Sequence, residues 1–219
     1  MKIAFCGAGG TGKGTISRAL VNKLADSFRP HVLLESPNEM ITKSIAPNSK
    51  NYRDLLPLEY VVKQYAILHA QIWQETQAGN FFVSERSVID YAAYFDEMWS
   101  KKHGLDISAI HLGQRYQAII KEHLLEHPYD IVFNMIPDFV PADAEENSWK
   151  ERSEEARKKT SRFLSEYIGR LYSSPKIKTH FFCLFGDADK RIHDAMSIIN
   201  NFASGKYENQ EKAGNATVA

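Results

Sequence analysis

One turn near the amino terminus constrains this chain more than any other feature. Gly7-Ala8-Gly9-Gly10-Thr11-Gly12-Lys13-Gly14-Thr15 follows an apolar run, Lys2-Ile3-Ala4-Phe5-Cys6. It opens into a helix-like stretch, Thr15-Ile16-Ser17-Arg18-Ala19-Leu20-Val21. Strand, Gly-rich turn, Lys and helix in that order are the context of a phosphate-binding loop. The glycines let the backbone curl until several N–H groups face one anion. The helix N-terminus adds a partial positive charge, and Lys13 adds a mobile full one. A Gly-rich turn without function is the competing reading, and the agreement of spacing, Lys and flanking elements disfavours it.

The rest of the chain repeats the alternation. Apolar strand-like runs cover Lys2–Cys6, His31–Leu34, Phe81–Ser84, Tyr129–Met135 and Lys178–Phe185. Helix-like stretches cover Thr15–Ser27, Leu58–Gln77, Ile89–Lys101, Ile107–Glu126, Ser153–Tyr172 and Ala188–Phe202. Strands separated by helices predict an α/β fold with a five-stranded parallel sheet covered on both faces and right-handed crossovers. Gly79-Asn80 before the third strand reads as a helix C-cap. Length suits one domain, set at 1–203. The remainder, 204–219, holds Gly, Asn, Gln, Lys and Glu with one large aromatic residue, Tyr207, and reads as a flexible tail.

Charge and cysteine content exclude some classes. Lys plus Arg and Asp plus Glu number 27 each, for a net charge of zero. No global footprint for nucleic acid or anionic membrane follows from that balance. No secretory apolar segment opens the chain, and no apolar run reaches a spanning length, so no membrane association is expected. Cys6 and Cys183 lie in apolar runs and read as buried reduced thiols, as in a cytoplasmic protein. No zinc-ligand spacing is present.

In open parallel sheets, ligands sit beyond the carboxyl ends of the strands. Glu35-Ser36-Pro37 follows the second run, and Ser84-Glu85-Arg86-Ser87 follows the third. A phosphate cradle, two carboxylates and an Arg at one edge are what phosphoryl transfer requires. Glu85 is placed to hold magnesium. Arg86 could neutralise charge on the transferring group, and Glu35 could accept a hydroxyl proton. The bland alternatives are an exposed strand-end carboxylate for Glu35 and a surface ion pair for Glu85–Arg86. Gly14 stands where the general motif has a Ser or Thr that holds magnesium, which passes the hydroxyl role to Thr15.

The Gly-Lys-Gly-Thr order of residues 12–15 resembles adenylate kinase and other small nucleotide kinases. Glu85-Arg86-Ser87, with Tyr91 and Tyr94 beyond it, resembles the deoxyribonucleoside kinases. The stretch Phe82 to Tyr94, with Asp90 and Tyr94, and the strand Tyr129-Asp130-Ile131-Val132-Phe133 are similar to the nicotinamide-riboside-kinase-like ATPases. The resemblance covers most of residues 1–203. It implies a three-layer P-loop NTPase fold with a helical lid at about 137–160. It implies ATP and Mg2+ as cofactors, with residues 7–15 around the phosphates and the loop at Gly186 around the adenine. Asp90 would touch the acceptor, or serve only as a carboxylate at a helix N-terminus. Gln64 and Gln71 share a helix face; Gln71 would read a base, or both are simply solvated. Arg152 and Arg157, with Arg162 third, are the lid's candidates for phosphate contact on an exposed, mobile segment. Each is equally readable as a solvated helix Arg. Asp187 or Asp189 could be an N-cap.

The function expected is ATP-dependent phosphoryl transfer to a nucleoside or nucleoside monophosphate. Nicotinamide riboside and a modified base in DNA are alternative acceptors, and an ATP-binding regulatory switch is an alternative class. A small nucleoside-like partner is favoured, DNA is not, and a homodimer stays open.

Overall fold

The computed structural model describes residues 1–45, 47, 57–103, 107–137 and 154–206. Five strands are present, β1 (Lys2–Gly7), β2 (Val32–Leu34), β3 (Phe82–Ser84), β4 (Ile131–Met135) and β5 (His180–Leu184). They form one parallel sheet in the order β2-β3-β1-β4-β5. The helices are α1 (Lys13–Ser27), α2 (Asn38–Ile45), α3 (Pro57–Ala78), α4 (Val88–His103), α5 (Ile107–Glu126), α6 (Glu154–Tyr172) and α7 (Ala188–Ala203).

The unbroken apolar character of β1 has a direct cause. Side chains alternate across a strand, so a sheet covered on both faces needs apolar residues at every position. Ile3 and Phe5 pack with Ile16, Leu20 and Leu24 of α1 and with Ala195 and Ile199 of α7. Ala4 and Cys6 face the other way, into a core with Leu68, Val88, Ala92, Tyr116 and Leu164. The result is three layers: α1 and α7 on one face, and α3 to α6 on the other. Ile16, Leu20 and Leu24 recur every four residues, which puts them on one stripe of α1.

Two expectations fail on burial. Cys6 is buried, but Cys183 is exposed. It lies on β5, one of the two edge strands. Gln64 and Gln71 are not solvated; both are buried on α3. The helix α2 was not anticipated. Ser36-Pro37-Asn38-Glu39 nevertheless has the spacing of a capping box, with Pro just inside the start. The Asn38 N–H reaches Ser36 Oγ at 3.4 Å, and the Ile41 N–H donates to the Pro37 carbonyl. Gly79 ends α3 in a left-handed conformation, with its N–H on the Glu75 carbonyl, as the C-cap signal predicts.

Candidate functional site

The carboxyl ends of β1, β2 and β3 open onto one cavity of about 480 Å³. Residues 9–15 form one wall, and Arg18, Glu35, Glu39, Glu85 and Arg86 contribute charged groups to the others. β1 is the middle strand, so its exit lies between those of β3 and β4. That crevice is where the strand order reverses, the location expected of a ligand site in such sheets.

The phosphate loop is built from within. Lys13 is 4% exposed, and its ammonium donates to the carbonyls of Gly7 and Ala8, both at 2.7 Å. Thr11 Oγ1 donates to the Ala8 carbonyl at 2.9 Å. α1 starts at Lys13, two residues before the sequence pattern suggested. Its N-cap is Gly12 in the left-handed region, with φ 83°, a conformation that needs glycine. No side chain caps α1 and its first turn holds no acid. The positive pole of α1 is therefore not compensated by a carboxylate of its own first turn. Burial, then the charge of Arg86, lowers the Lys13 pKa to about 8, while Asp90 and Glu85 oppose the shift.

Gly14 explains the departure from the general motif. A Cβ placed there would lie 3.1 Å from Glu85 Oε1 and 3.4 Å from Arg18 Nη1. Glycine lets the Glu85 carboxylate approach the first turn of α1. A Ser or Thr at 14 would crowd it. The exposed hydroxyl of Thr15 and the Glu85 carboxylate both line the cavity. These are hard oxygen donors, the type that suits magnesium. Among the described residues no three His, Cys, Asp or Glu side chains form a metal cluster.

Glu35 follows β2 and extends into the same cavity. Arg18, which sequence reasoning did not single out, pairs with it at 2.7 Å; both side chains are about 60% exposed. The Glu85 N–H donates to the Leu34 carbonyl at 2.9 Å, which ties the exits of β2 and β3 together.

Behind the cavity, Asp90 is fully buried. It accepts from the Gly7 N–H at 3.0 Å and from the N–H and hydroxyl of Ser87 at 3.1 Å. Arg86 Nη1 lies 3.6 Å from it. Burial raises its pKa, and Arg86, Lys13 and these donors counter that. Asp90 thus fits the reading of a carboxylate at the start of α4, and it also anchors the phosphate loop. Arg86 pairs with Asp90 and lies over the Tyr94 ring at 5.5 Å, which replaces the surface-pair reading of Glu85–Arg86.

Gln71 is fully buried and lies outside the cavity lining. Its amide donates to Glu75, to Ser84 Oγ and to the Arg86 carbonyl, and its oxygen accepts from Tyr91. Glu75 also accepts from Tyr129 at 2.7 Å and contacts His123 at 2.8 Å. This buried chain supports the turn that carries Glu85 and Arg86. Its signal in the sequence was the run of polar residues on one face of α3.

Arg157 was expected on an exposed segment; it is 3% exposed at the start of α6. Arg152 and residues 138–153 of the expected lid lie outside the described residues, as do residues 207–219 of the expected tail. Gly186 precedes the N-cap Asp187, which accepts from the Lys190 N–H at 2.8 Å. Arg191, also missed, is fully buried against the phosphate loop.

Several solved structures share this fold. Deoxyadenosine kinase from M. mycoides with bound dATP superposes at a TM-score of 0.60 and 22% identity, covering 91% of this chain and 99% of that one. Thymidylate kinase from Ehrlichia chaffeensis gives 0.57 and 15%, covering 91% and 98%. The NadR protein in complex with NR gives 0.63 and 14%, covering 91% of this chain and half of that one. At these identities the likeness shows the fold, an α/β P-loop NTPase fold with nucleoside and nucleotide kinases among its members. No curated protein matches the chain. The model of one family, AAA_28, described as an AAA domain, matches residues 2–180. A match over that much of the sequence assigns the family: the chain belongs to the AAA_28 family of AAA domains.

Proposed function

We infer that this chain transfers the terminal phosphoryl group of ATP to a hydroxyl or phosphate of a nucleoside or nucleoside monophosphate. One observation carries the reading. The cavity walled by the phosphate loop also holds Glu35, Glu85 and Arg86 from two further strand ends. A hydrolysing switch would also use a magnesium ligand and a cation; a second strand-end carboxylate placed to take a hydroxyl proton, Glu35, is what transfer to an acceptor adds.

The loop N–H groups and Lys13 bind the outer phosphates. Glu85 and Thr15 would hold magnesium, which would supply charge neutralisation there. Arg86, fixed by Asp90 and Tyr94, faces the charge that builds on the transferring group. Glu35 orients the acceptor hydroxyl and takes its proton; Arg18 holds the carboxylate in place. Gln71, buried outside the cavity lining, takes no direct part.

Labelled ATP incubated with a panel of nucleosides, nucleoside monophosphates, nicotinamide riboside and DNA tests the assignment. Transfer to one small acceptor class supports it. Hydrolysis with no transfer to any of them refutes it and favours a switch. Transfer to DNA, with binding that weakens steeply with salt, moves the acceptor into nucleic acid.

A further inference from the structure

Arg191 is the one charged side chain on the buried stripe of α7, in line with Ala195 and Ile199 at four-residue spacing. It is 1% exposed. Its Nη1 donates to the Thr11 carbonyl and its Nη2 to the Ile136 carbonyl, both at 2.7 Å. The two acceptors belong to the exits of β1 and β4. The Ile136 N–H in turn donates to the Leu184 carbonyl at the end of β5. One guanidinium thus joins the phosphate loop to the segments leaving two other strands. Burying a side chain of this size and charge is costly, so a fork that meets two carbonyls at once is a demanding arrangement.

We propose that Arg191 is a positioning residue that sets the phosphate loop from behind, and that it mechanically couples this loop to the turn after β5. The link runs through one peptide group. In a trans peptide the C=O and N–H point in opposite directions, and no cis bond is present among the described residues. Drawing the Thr11 carbonyl onto Arg191 turns the Gly12 N–H to the opposite side, and Gly12 lines the cavity. Arg191 therefore orients an anion-facing donor without touching the anion. The same side chain sits one turn into the helix that Asp187 caps, directly after Gly186. Displacement of that turn is transmitted to the Thr11 carbonyl. The proposal rests on the nucleotide-site reading above.

Two variants of the full chain test it. Arg191→Met removes charge and donors, whereas Arg191→Lys keeps the charge but cannot span both carbonyls. Calorimetry measures binding of magnesium ATP and of magnesium tripolyphosphate, which has phosphates and no base. The 1H–15N signal of Gly12, whose nitrogen shares a peptide group with the Thr11 carbonyl, is followed without ligand. The expected result is a loss of about tenfold in affinity for both ligands in the Met variant. The Lys variant should fall in between, with its largest backbone shifts at residues 12 and 136. Wild-type affinity in either folded variant overturns the proposal, and so does loss for ATP alone, which would place Arg191 on the base side. Two variants that both fail to fold also overturn it, in favour of a role in the whole fold. If the wild type binds neither ligand, the nucleotide reading fails instead; an unmoved Gly12 signal would then still reject the link.

Discussion

Raising the pH from 7 to 9 acts on this protein in two opposite directions through one group, the Lys13 ammonium. Burial lowers its pKa from 10.5 to about 8. The difference corresponds to roughly 3 kcal/mol by which the folded environment disfavours the charged form. Above pH 8 the unfolded chain, with an ordinary lysine, binds more protons than the folded one. Stability from this group therefore rises with pH through the window from about 8 to 10.5, by about 1 kcal/mol between pH 7 and 9. Anion binding has the other sign, because it requires the ammonium. A triphosphate that restores the proton should bind about tenfold more weakly at pH 9 than at pH 7, with proton uptake rising from about 0.1 to about 0.9 per site. Calorimetry of magnesium ATP in buffers of different ionisation enthalpy reads the uptake. Urea unfolding reads the stability. Lys13→Met removes both effects, so the difference between it and the wild type isolates this group from other titrations. Affinity that is flat with pH and free of proton uptake would refute the burial argument. So would stability that falls, relative to Lys13→Met, over the same window.

Lys13→Ala should abolish phosphoryl transfer with the fold retained, judged by turnover alongside circular dichroism. Glu35→Gln should lower turnover about a hundredfold and leave the dissociation constant of ATP within a factor of about two. Gly14→Ala should displace the Glu85 carboxylate, since the added Cβ would sit 3.1 Å from Oε1. Turnover should fall roughly tenfold with little change in melting temperature. Asp90→Asn removes an ion pair with Arg86 and sets an amide donor against either the Gly7 N–H or the Ser87 N–H, which bond to different carboxylate oxygens. It should cost about 3 kcal/mol in urea unfolding.

The layered fold was legible because its determinants are local. Apolar runs read as parallel strands; four of the five strands fall inside the runs identified, and β1 exceeds its run by one residue, Gly7. The phosphate loop was legible for the same reason, since its glycines and Lys13 are contiguous. The side chains around it were only partly so. Glu35, Glu85 and Arg86 could be found because each directly follows a strand. Arg18 and Arg191 could not, because helix periodicity says which stripe a residue occupies and not which loop lies opposite. Gln71 was misread as solvated because a polar residue on a long helix normally faces water; here Glu75, Ser84 and Tyr91 satisfy it inside the protein. Cys183 was misread because strand-like sequence does not reveal that β5 lies at the edge.

The strand order β2-β3-β1-β4-β5 divides the sheet into two wings on either side of β1. Glu35, Glu85 and Arg86 hang from the β2-β3 wing, whereas Gly186 and Arg191 belong to the β5 side. Under the function proposed here, Glu35 on the first wing orients the acceptor, while Arg191 on the second sets the loop that holds the phosphates from behind. Lineages could thus exchange one client molecule for another by altering a single side of the sheet, while the fuel stays the same.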